Sequence, residues 1–190
     1  MSARAFLKQA SASLHEDVDQ AFSSYSLATR DGYLGFLQAH AWALSQIEPT
    51  IEQAGVDRIV PDWHARRRRH AIAEDICALE AAPPEANALA VEIDDATLWG
   101  ILYVLEGSRL GARYLSRQVG NGADWQADEP PPLAYLTHGQ DTALWPQFLQ
   151  QLEAASAELD QERLLEGVRW CFSVFLASAR KGMDRPHERP

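Results

Sequence analysis

Three residues near the N-terminus have types and spacing that could bind a metal-containing ligand. His15 follows Lys8 by seven positions and precedes Asp19 by four, so on a helix all three share one face. A metal-bound imidazole normally donates its second N–H to a carboxylate or carbonyl, and Asp19 lies within reach. Lys8, roughly 10 Å along the helix, could contact an anionic group at the far edge of a flat ligand. The alternative is a structural or solvent-facing His15 with two ordinary exposed charges beside it.

A second candidate group lies in the middle of the chain. Gly107 and Gly111 are four residues apart, so on a helix they leave a bare strip of backbone that a flat group could approach closely. Each interior glycine costs roughly 1 kcal/mol relative to alanine. Helix packing would explain the spacing alone. A packing seam, however, does not need the nearby polar side chains of Tyr103, Ser108 and Arg109, and these favour a polar ligand pocket.

Other polar residues give weaker indications. His40 lies between alanines and is interpreted as a core or boundary residue. The consecutive arginines 66–69 point about 100° apart on a helix, so they cannot all face one partner. A solvated helix face is the preferred interpretation, with Asp62 pairing to Arg66, and a redox-partner site is the alternative. The chain has no Gly-rich phosphate loop, CxxC or HExxH motif.

Hydrophobic periodicity predicts an all-α fold in a single domain, because no alternating strand pattern occurs. The central helix, residues 98–119, is apolar nearly all round and follows Asp94 and Asp95, which suit its N-terminus. Pro49 is expected to kink or end the second helix. The predicted helices span residues 4–22, 32–55, 61–80, 98–119, 141–157 and 160–181, and the loop 123–140 carries one helical turn at 133–136. The domain is expected to cover residues 1–181, with a disordered tail at 182–190.

Composition limits the classes of partner and compartment. The chain has 190 residues, 46% hydrophobic and 23% charged, which is typical of one soluble globular domain. Its net charge of −10 argues against nucleic acid or an anionic membrane surface. No apolar run is long enough to span a bilayer, and no signal peptide is recognised. Cys77 and Cys171 lack metal-type or disulfide spacing, so a cytoplasmic location is expected.

Several segments resemble the bacterial heme oxygenases, most closely the members associated with bacterial phytochromes. The similar segments are LHEDVD around His15, LATRDGYLGFLQAH, LYVLEGSRLGARYL, WPQFLQQLE and the final helix. The resemblance covers most of the chain, and the order and spacing of these short motifs are specific. It implies a heme oxygenase-like multihelical bundle that holds heme between the first helix and a glycine-kinked central helix.

The resemblance also implies a role for each candidate residue on the proximal side and at the heme edge. His15 matches the iron ligand, and Asp19 matches a carboxylate that is hydrogen-bonded to it. Lys8 and Tyr103 match the positions that bind the heme propionates. The basic anchors that mammalian members take from the penultimate helix are absent, which leaves the rotation of the heme and the cleaved meso carbon open.

On the distal side, Gly107 and Gly111 match glycines whose backbone lies over the porphyrin. Ser108 and Arg109 match polar positions that help to order water near bound oxygen. Mammalian members carry an aspartate where Ser108 stands, whereas bacterial ones commonly have serine.

The function that the resemblance implies is the ring opening of heme to biliverdin, with release of iron and carbon monoxide. Heme is then both substrate and cofactor, O2 is the oxidant, and a ferredoxin or a reductase supplies the electrons. A bacterial phytochrome would consume the biliverdin. The alternatives are a heme-binding or heme-sensing protein that does not degrade heme, and a helical scaffold that binds none.

Overall fold

The computed structural model describes residues 2–126 and 128–183, and this part of the chain confirms the all-α prediction. Its only β feature is an isolated bridge between Gln126 and Glu129. A short 3-10 turn at Val56–Arg58 joins the third and fourth helices. The helices are α1 Ala3–Ala10, α2 Ala12–Phe22, α3 Arg30–Gln53, α4 Trp63–Arg66, α5 Arg69–Ala78, α6 Asp95–Gly107, α7 Arg109–Gly120, α8 Ala134–Thr137, α9 Leu144–Ala155 and α10 Gln161–Met183.

Three predicted helices are each divided in two. The first breaks at Ser11, whose hydroxyl and backbone N–H both donate to the Leu7 carbonyl, at 2.7 and 3.0 Å. The predicted helix 61–80 divides into α4 and α5, and the central helix divides into α6 and α7 at Ser108. The predicted cap of the central helix is confirmed, because the Asp94 carboxylate accepts from the Thr97 N–H at 2.7 Å.

Pro49 neither ends the predicted helix 32–55 nor leaves its backbone unpaired. It lies inside α3, which continues to Gln53 before Gly55 adopts a φ of +79°. Proline removes the N–H that would bond to the carbonyl of Ser45. The Asn87 N–H donates to that carbonyl at 2.8 Å instead. A long-range hydrogen bond therefore replaces the missing helical one.

The core lies where α6 crosses α10, and two glycines permit that crossing. A Cβ added at Gly100 would lie 1.9 Å from the Leu164 carbonyl oxygen. A Cβ at Gly167 would lie 2.0 Å from the Thr97 carbonyl oxygen. Helix α10 also packs against α2 and α3, and α9 packs against α1 and α6. The long C-terminal helix therefore joins the N-terminal helices to the central one.

The last helix extends to Met183, two residues beyond its predicted end, and the rest of the predicted tail, residues 184–190, lies outside the described residues. A membrane-spanning length of apolar helix is not found in the described chain.

Candidate functional site

His15 and Asp19 form the pair that their spacing predicts. On α2, the Nδ1 atom of His15 lies 3.0 Å from Oδ2 of Asp19, and the two side chains are 64% and 69% exposed. The ring of Phe172, from α10, contacts the imidazole edge-on with centroids 6.0 Å apart. A carboxylate that accepts from Nδ1–H orients the ring and leaves Nε2 as the nitrogen that a metal can bind. The imidazole is thus oriented as a ligand that can still reach a metal.

The backbone is open at Gly111, on α7, whereas Gly107, its predicted partner in one bare strip, lies on α6. A Cβ added at Gly111 would meet nothing within 4 Å. Beside it, Leu110 and Tyr114 are 63% and 64% exposed, and they are one turn apart on the helix. Large apolar side chains exposed together are uncommon and mark binding surfaces. This open face, formed by Leu110, Gly111 and Tyr114, is suited to a flat apolar group.

The other glycines of the central stretch differ from Gly111. Gly100 is a helix-packing position, where the backbone of α10 occupies the space of a side chain. Gly107 faces the indole of Trp145, with 3.5 Å between an added Cβ and the nearest ring atom. Tyr103 contacts the same indole, with ring centroids 5.6 Å apart. Gly107 and Tyr103 therefore share one aromatic neighbour, from α9.

Tyr103 and Lys8 are not joined by a hydrogen bond in the described residues. Partial burial raises the pKa of Tyr103, while the positive charge of Arg4 opposes that shift. Arg4 lies one turn before Lys8 on α1, and both side chains are exposed. The two cations and the phenol could serve the carboxylates at the edge of a ligand. Arg4 was not predicted from the sequence, although its i to i+4 spacing from Lys8 is a signal for it.

The side chain of Arg109, which follows Ser108 in the chain, forms several hydrogen bonds within the protein. The Arg109 guanidinium donates to both carboxylate oxygens of Glu106, at 2.9 and 3.1 Å, and to the backbone carbonyl of Arg66. It also donates to Nδ1 of His138 at 3.2 Å. Burial, and then the charge of Arg109, lowers the pKa of His138, so this ring is neutral and Nδ1 accepts. Protein groups therefore already engage the Arg109 side chain.

The arginine run is not a solvated helix face, and that expectation is wrong for two of its members. Arg66 is 1% exposed and Arg68 is 3% exposed. Arg66 forms the predicted pair with Asp62 at 2.8 Å, but it also donates to Glu106 at 2.9 Å. Buried charges require such partners, and no signal in the sequence shows that Glu106, forty residues away, supplies one.

His40 occupies a core or boundary position, in agreement with its interpretation from the sequence. The rings of Phe22 and Phe36 each lie 4.1 Å from its ring, measured between centroids. Its Nδ1–H donates to the Phe36 carbonyl at 3.1 Å. Burial lowers the pKa of His40 to about 3, so the imidazole is neutral at ordinary pH.

Neither of two surface cavities involves the predicted site residues. One, of about 380 Å³, is lined by Asp62, Arg66 and glutamines of α9, and the other, of about 230 Å³, includes Trp42 and Lys181. Within the described residues, His, Cys, Asp and Glu side chains form no group of three that could hold a metal ion.

Comparison with known proteins identifies the family. A heme oxygenase of Xanthomonas campestris pv. campestris is 31% identical over 68% of this chain and 79% of its own length. The heme oxygenase PigA of Pseudomonas aeruginosa is 28% identical over 75% of this chain and 72% of its own length. No protein-family model matches the chain.

The fold comparison agrees. The crystal structure of the NO- and CO-bound heme oxygenase from Neisseria meningitidis superposes with a TM-score of 0.80, covering 100% of this chain and 96% of its own, at 19% identity. At that identity the similarity establishes the multihelical fold, and the sequence relatives establish the family. This chain belongs to the heme oxygenase family, as a bacterial-type member.

Proposed function

We propose that this enzyme binds heme through Nε2 of His15 and opens its ring to biliverdin, releasing iron and carbon monoxide. The observation that carries the proposal is the His15–Asp19 pair, whose 3.0 Å contact leaves Nε2 free on an exposed face of α2. An iron ligand oriented by a carboxylate is the arrangement that heme binding through a single imidazole requires.

The open face of α7 suits the macrocycle. Gly111 has open space where a side chain would be, and Leu110 and Tyr114 offer exposed apolar contact on the same helix. Gly107 adds backbone with ordinary van der Waals space toward Trp145. In the proposed complex these glycines of the central stretch let the backbone lie against one side of heme, while His15 binds the other.

Lys8 and Tyr103 hold the propionates in this proposal, and Arg4 provides a further positive charge near the phenol. A lysine or arginine gives a charge-assisted contact to a carboxylate, whereas the phenol gives a neutral hydrogen bond. Exposed ion pairs contribute only about 0–1 kcal/mol, so these residues orient heme more than they retain it.

When bound, heme supplies the redox chemistry of iron and is itself the substrate. The protein contributes orientation of the ring, exclusion of bulk water and hydrogen-bonding groups at the distal side. Ser108 serves as the group that orders water there, and Arg109 supports the local structure through Glu106.

The remaining partners follow from the reaction. O2 is the oxidant, and a ferredoxin or a reductase delivers the electrons in the cytoplasm, where the unpaired Cys77 and Cys171 would stay reduced. A bacterial phytochrome, which uses biliverdin as its chromophore, is the proposed consumer of the product. This assignment rests on the segments LHEDVD and LYVLEGSRLGARYL.

Hemin titration followed by turnover tests the proposal. Binding should produce a Soret band, and adding reductant and O2 should replace that band with the absorbance of biliverdin. A stable oxy-heme spectrum would instead identify a heme-binding protein that does not degrade heme. If hemin gives no Soret shift, the chain binds no heme and the proposal is wrong.

The phytochrome role has its own test. Co-expression with an apo-phytochrome should yield a photoactive holoprotein. If the cells accumulate biliverdin but the phytochrome remains inactive, the proposed consumer is wrong, whereas the enzymatic proposal stands.

A further inference from the structure

The break between α6 and α7 is held by side chains from the segment that precedes α5. Arg68 is 3% exposed, and its Nη2 atom donates to the Leu105 carbonyl at 3.0 Å and to the Ser108 hydroxyl at 2.7 Å. The Ser108 hydroxyl in turn donates to the same Leu105 carbonyl at 2.8 Å. Carbonyls of a last helical turn need such partners, and a cation at that end is favourable.

A second set of contacts holds the break from the other side. Glu106, in the last turn of α6, accepts from Arg66 at 2.9 Å and from Arg109, in the first turn of α7, also at 2.9 Å. Arg66 additionally donates to the Leu144 carbonyl at 3.1 Å, and Arg109 donates to the Arg66 carbonyl. Both helices are thus connected to one short segment. We call the side chains of Arg66, Arg68, Arg109 and Glu106 the arginine clamp.

The clamp fixes the direction of the Ser108 hydroxyl. A guanidinium only donates hydrogen bonds, so Ser108 must be the acceptor toward Arg68. Its single hydrogen points to the Leu105 carbonyl. One lone pair therefore remains, on a residue that is exposed at the start of α7. Any further hydrogen bond that Ser108 makes toward the open face must be one that it accepts.

We infer that Arg68 is a positioning residue that fixes the break between α6 and α7 and presents Ser108 to the ligand side as an acceptor only. The inference rests on the proposed function for the identity of that ligand, heme with its ordered water. The clamp itself is a property of the protein without heme.

The experiment is a double-mutant cycle with Arg68→Lys and Ser108→Ala. Lysine keeps the charge, but its side chain is shorter and ends in an ammonium instead of the planar guanidinium whose Nη2 atom donates to both acceptors. We expect Arg68→Lys to lower the rate of biliverdin formation by about tenfold, as for the loss of one charged hydrogen bond. The dissociation constant of hemin, measured by Soret titration, should change much less. In the Ser108→Ala background, Arg68→Lys should have no further effect on the rate.

Arg67→Lys is the matched control, because Arg67 belongs to the same run but contacts Glu52 and not the clamp. It should leave both the rate and the hemin affinity unchanged. If the effects of Arg68→Lys and Ser108→Ala multiply instead, or if Arg67→Lys has the same effect, Arg68 does not act through Ser108 and the inference is wrong.

A measurement on the apoprotein separates this inference from the proposed function. Amide hydrogen exchange in residues 104–112 should accelerate in Arg68→Lys and in Ser108→Ala, but not in Arg67→Lys. Unchanged exchange in both Arg68→Lys and Ser108→Ala would overturn the inference even if heme turnover were demonstrated. Accelerated exchange in a protein that binds no hemin would support the clamp and refute the heme proposal.

Discussion

At the scale of single residues, the imidazole of His15 is distinguished from the other histidines by what surrounds it. Its Nδ1 atom is engaged by Asp19, its ring edge contacts Phe172, and Nε2 is left on an exposed face. His40, in contrast, is enclosed by aromatic rings and donates to a backbone carbonyl of its own helix. The same residue type therefore occupies two environments here: an exposed one, which suits the proposed iron ligand, and one within the core.

The first prediction concerns the proposed iron ligand. His15→Ala should weaken hemin binding and abolish biliverdin formation, with activity recovered when imidazole is added to the assay. Asp19→Ala should have a milder effect, about tenfold to a hundredfold, because it removes the orientation of the ligand and not the iron bond. His64→Ala, at an exposed position of α4, is the matched control. Ferric and ferrous spectra in His15→Ala that match those of the wild type would exclude His15 as the ligand.

The second prediction follows from the lowered pKa of His40. An unfolded histidine titrates near 6.5, whereas the folded pKa is about 3, so the proton binds the unfolded chain first as the pH falls. His40 therefore contributes stability that is present above pH 6.5 and is lost progressively between pH 6.5 and 3. By linkage, wild type should lose about 2 kcal/mol more than His40→Gln between pH 7.5 and 5. Urea unfolding of both apoproteins at the two pH values measures this difference, and equal losses would contradict the assigned pKa.

At the scale of helices, the glycines of the central stretch divide into a packing position and an open one. Gly100 allows α10 to approach, with only 1.9 Å between an added Cβ and the Leu164 carbonyl oxygen. Gly111, on α7, has nothing within 4 Å. From the sequence, a packing seam and a ligand face were alternatives for Gly107 and Gly111. In the fold, Gly107 faces Trp145, whereas Gly111 has the open space that the proposed ligand face needs.

The third prediction concerns Gly111, because replacing it with alanine should change protein stability and hemin affinity in opposite directions. Gly111→Ala should stabilise the apoprotein by up to about 1 kcal/mol through helix propensity, since the new methyl group meets no clash. The same change should weaken hemin binding, and Gly111→Val should weaken it further. Gly120→Ala is the control, because an added Cβ there also meets nothing within 4 Å. Normal hemin affinity and turnover in Gly111→Val would contradict the proposed approach of the backbone to heme.

The fourth prediction concerns the crossing of α6 and α10. Gly167→Ala should destabilise the fold by about 1–3 kcal/mol, as for overpacking, because its Cβ would lie 2.0 Å from the Thr97 carbonyl oxygen. Urea unfolding at neutral pH measures the change. A stability equal to that of wild type would mean that the two helices can separate without cost.

Helix boundaries show how far the sequence could predict this fold. Periodicity was sufficient to place α3, α9 and α10 within about three residues at each end, because each carries its own apolar stripe. The resemblance implied a kink in the central helix, but not its position at Ser108, because the groups that hold it come from Arg66 and Arg68, which are distant in sequence. Four consecutive arginines look solvated until the fold brings a carboxylate or a carbonyl to each of them and buries two.

At the scale of the whole molecule, the order and spacing of the short motifs predicted the fold better than any single motif did. His15 and the glycine stretch lie about ninety residues apart, and α10 connects their helices by packing against both α2 and α6. The overall charge of −10 is also unevenly distributed. Helices α1 and α7 contain no acidic residue, although they carry two and three basic residues respectively.

The last prediction concerns the residues that orient heme, and this charge distribution bears on it. Lys8 and Tyr103 are proposed to bind propionates, and neither forms an ion pair within the described residues. Burial of the macrocycle, at roughly 25 cal/mol per Å² of apolar surface, and the iron–imidazole bond should dominate the affinity. The double variant Lys8→Ala, Tyr103→Phe should therefore still bind hemin, because it keeps both the buried ring and the iron–imidazole bond.

The interactions that dominate hemin affinity should not set the rotation of heme about its axis, because the apolar ring contacts hardly distinguish one rotation from another. Charge-assisted contacts at the ring edge distinguish the rotations, so losing Lys8 and Tyr103 should change which meso carbon is oxidised. Chromatography of the biliverdin isomers measures this, with Lys181→Ala as a control, since Lys181 lies over the ring of Trp42 on another surface. A changed isomer ratio at nearly unchanged hemin affinity is the expected result. If the ratio is unchanged, other cations set the rotation, and Arg4, whose charge already acts on Tyr103, is the first to replace.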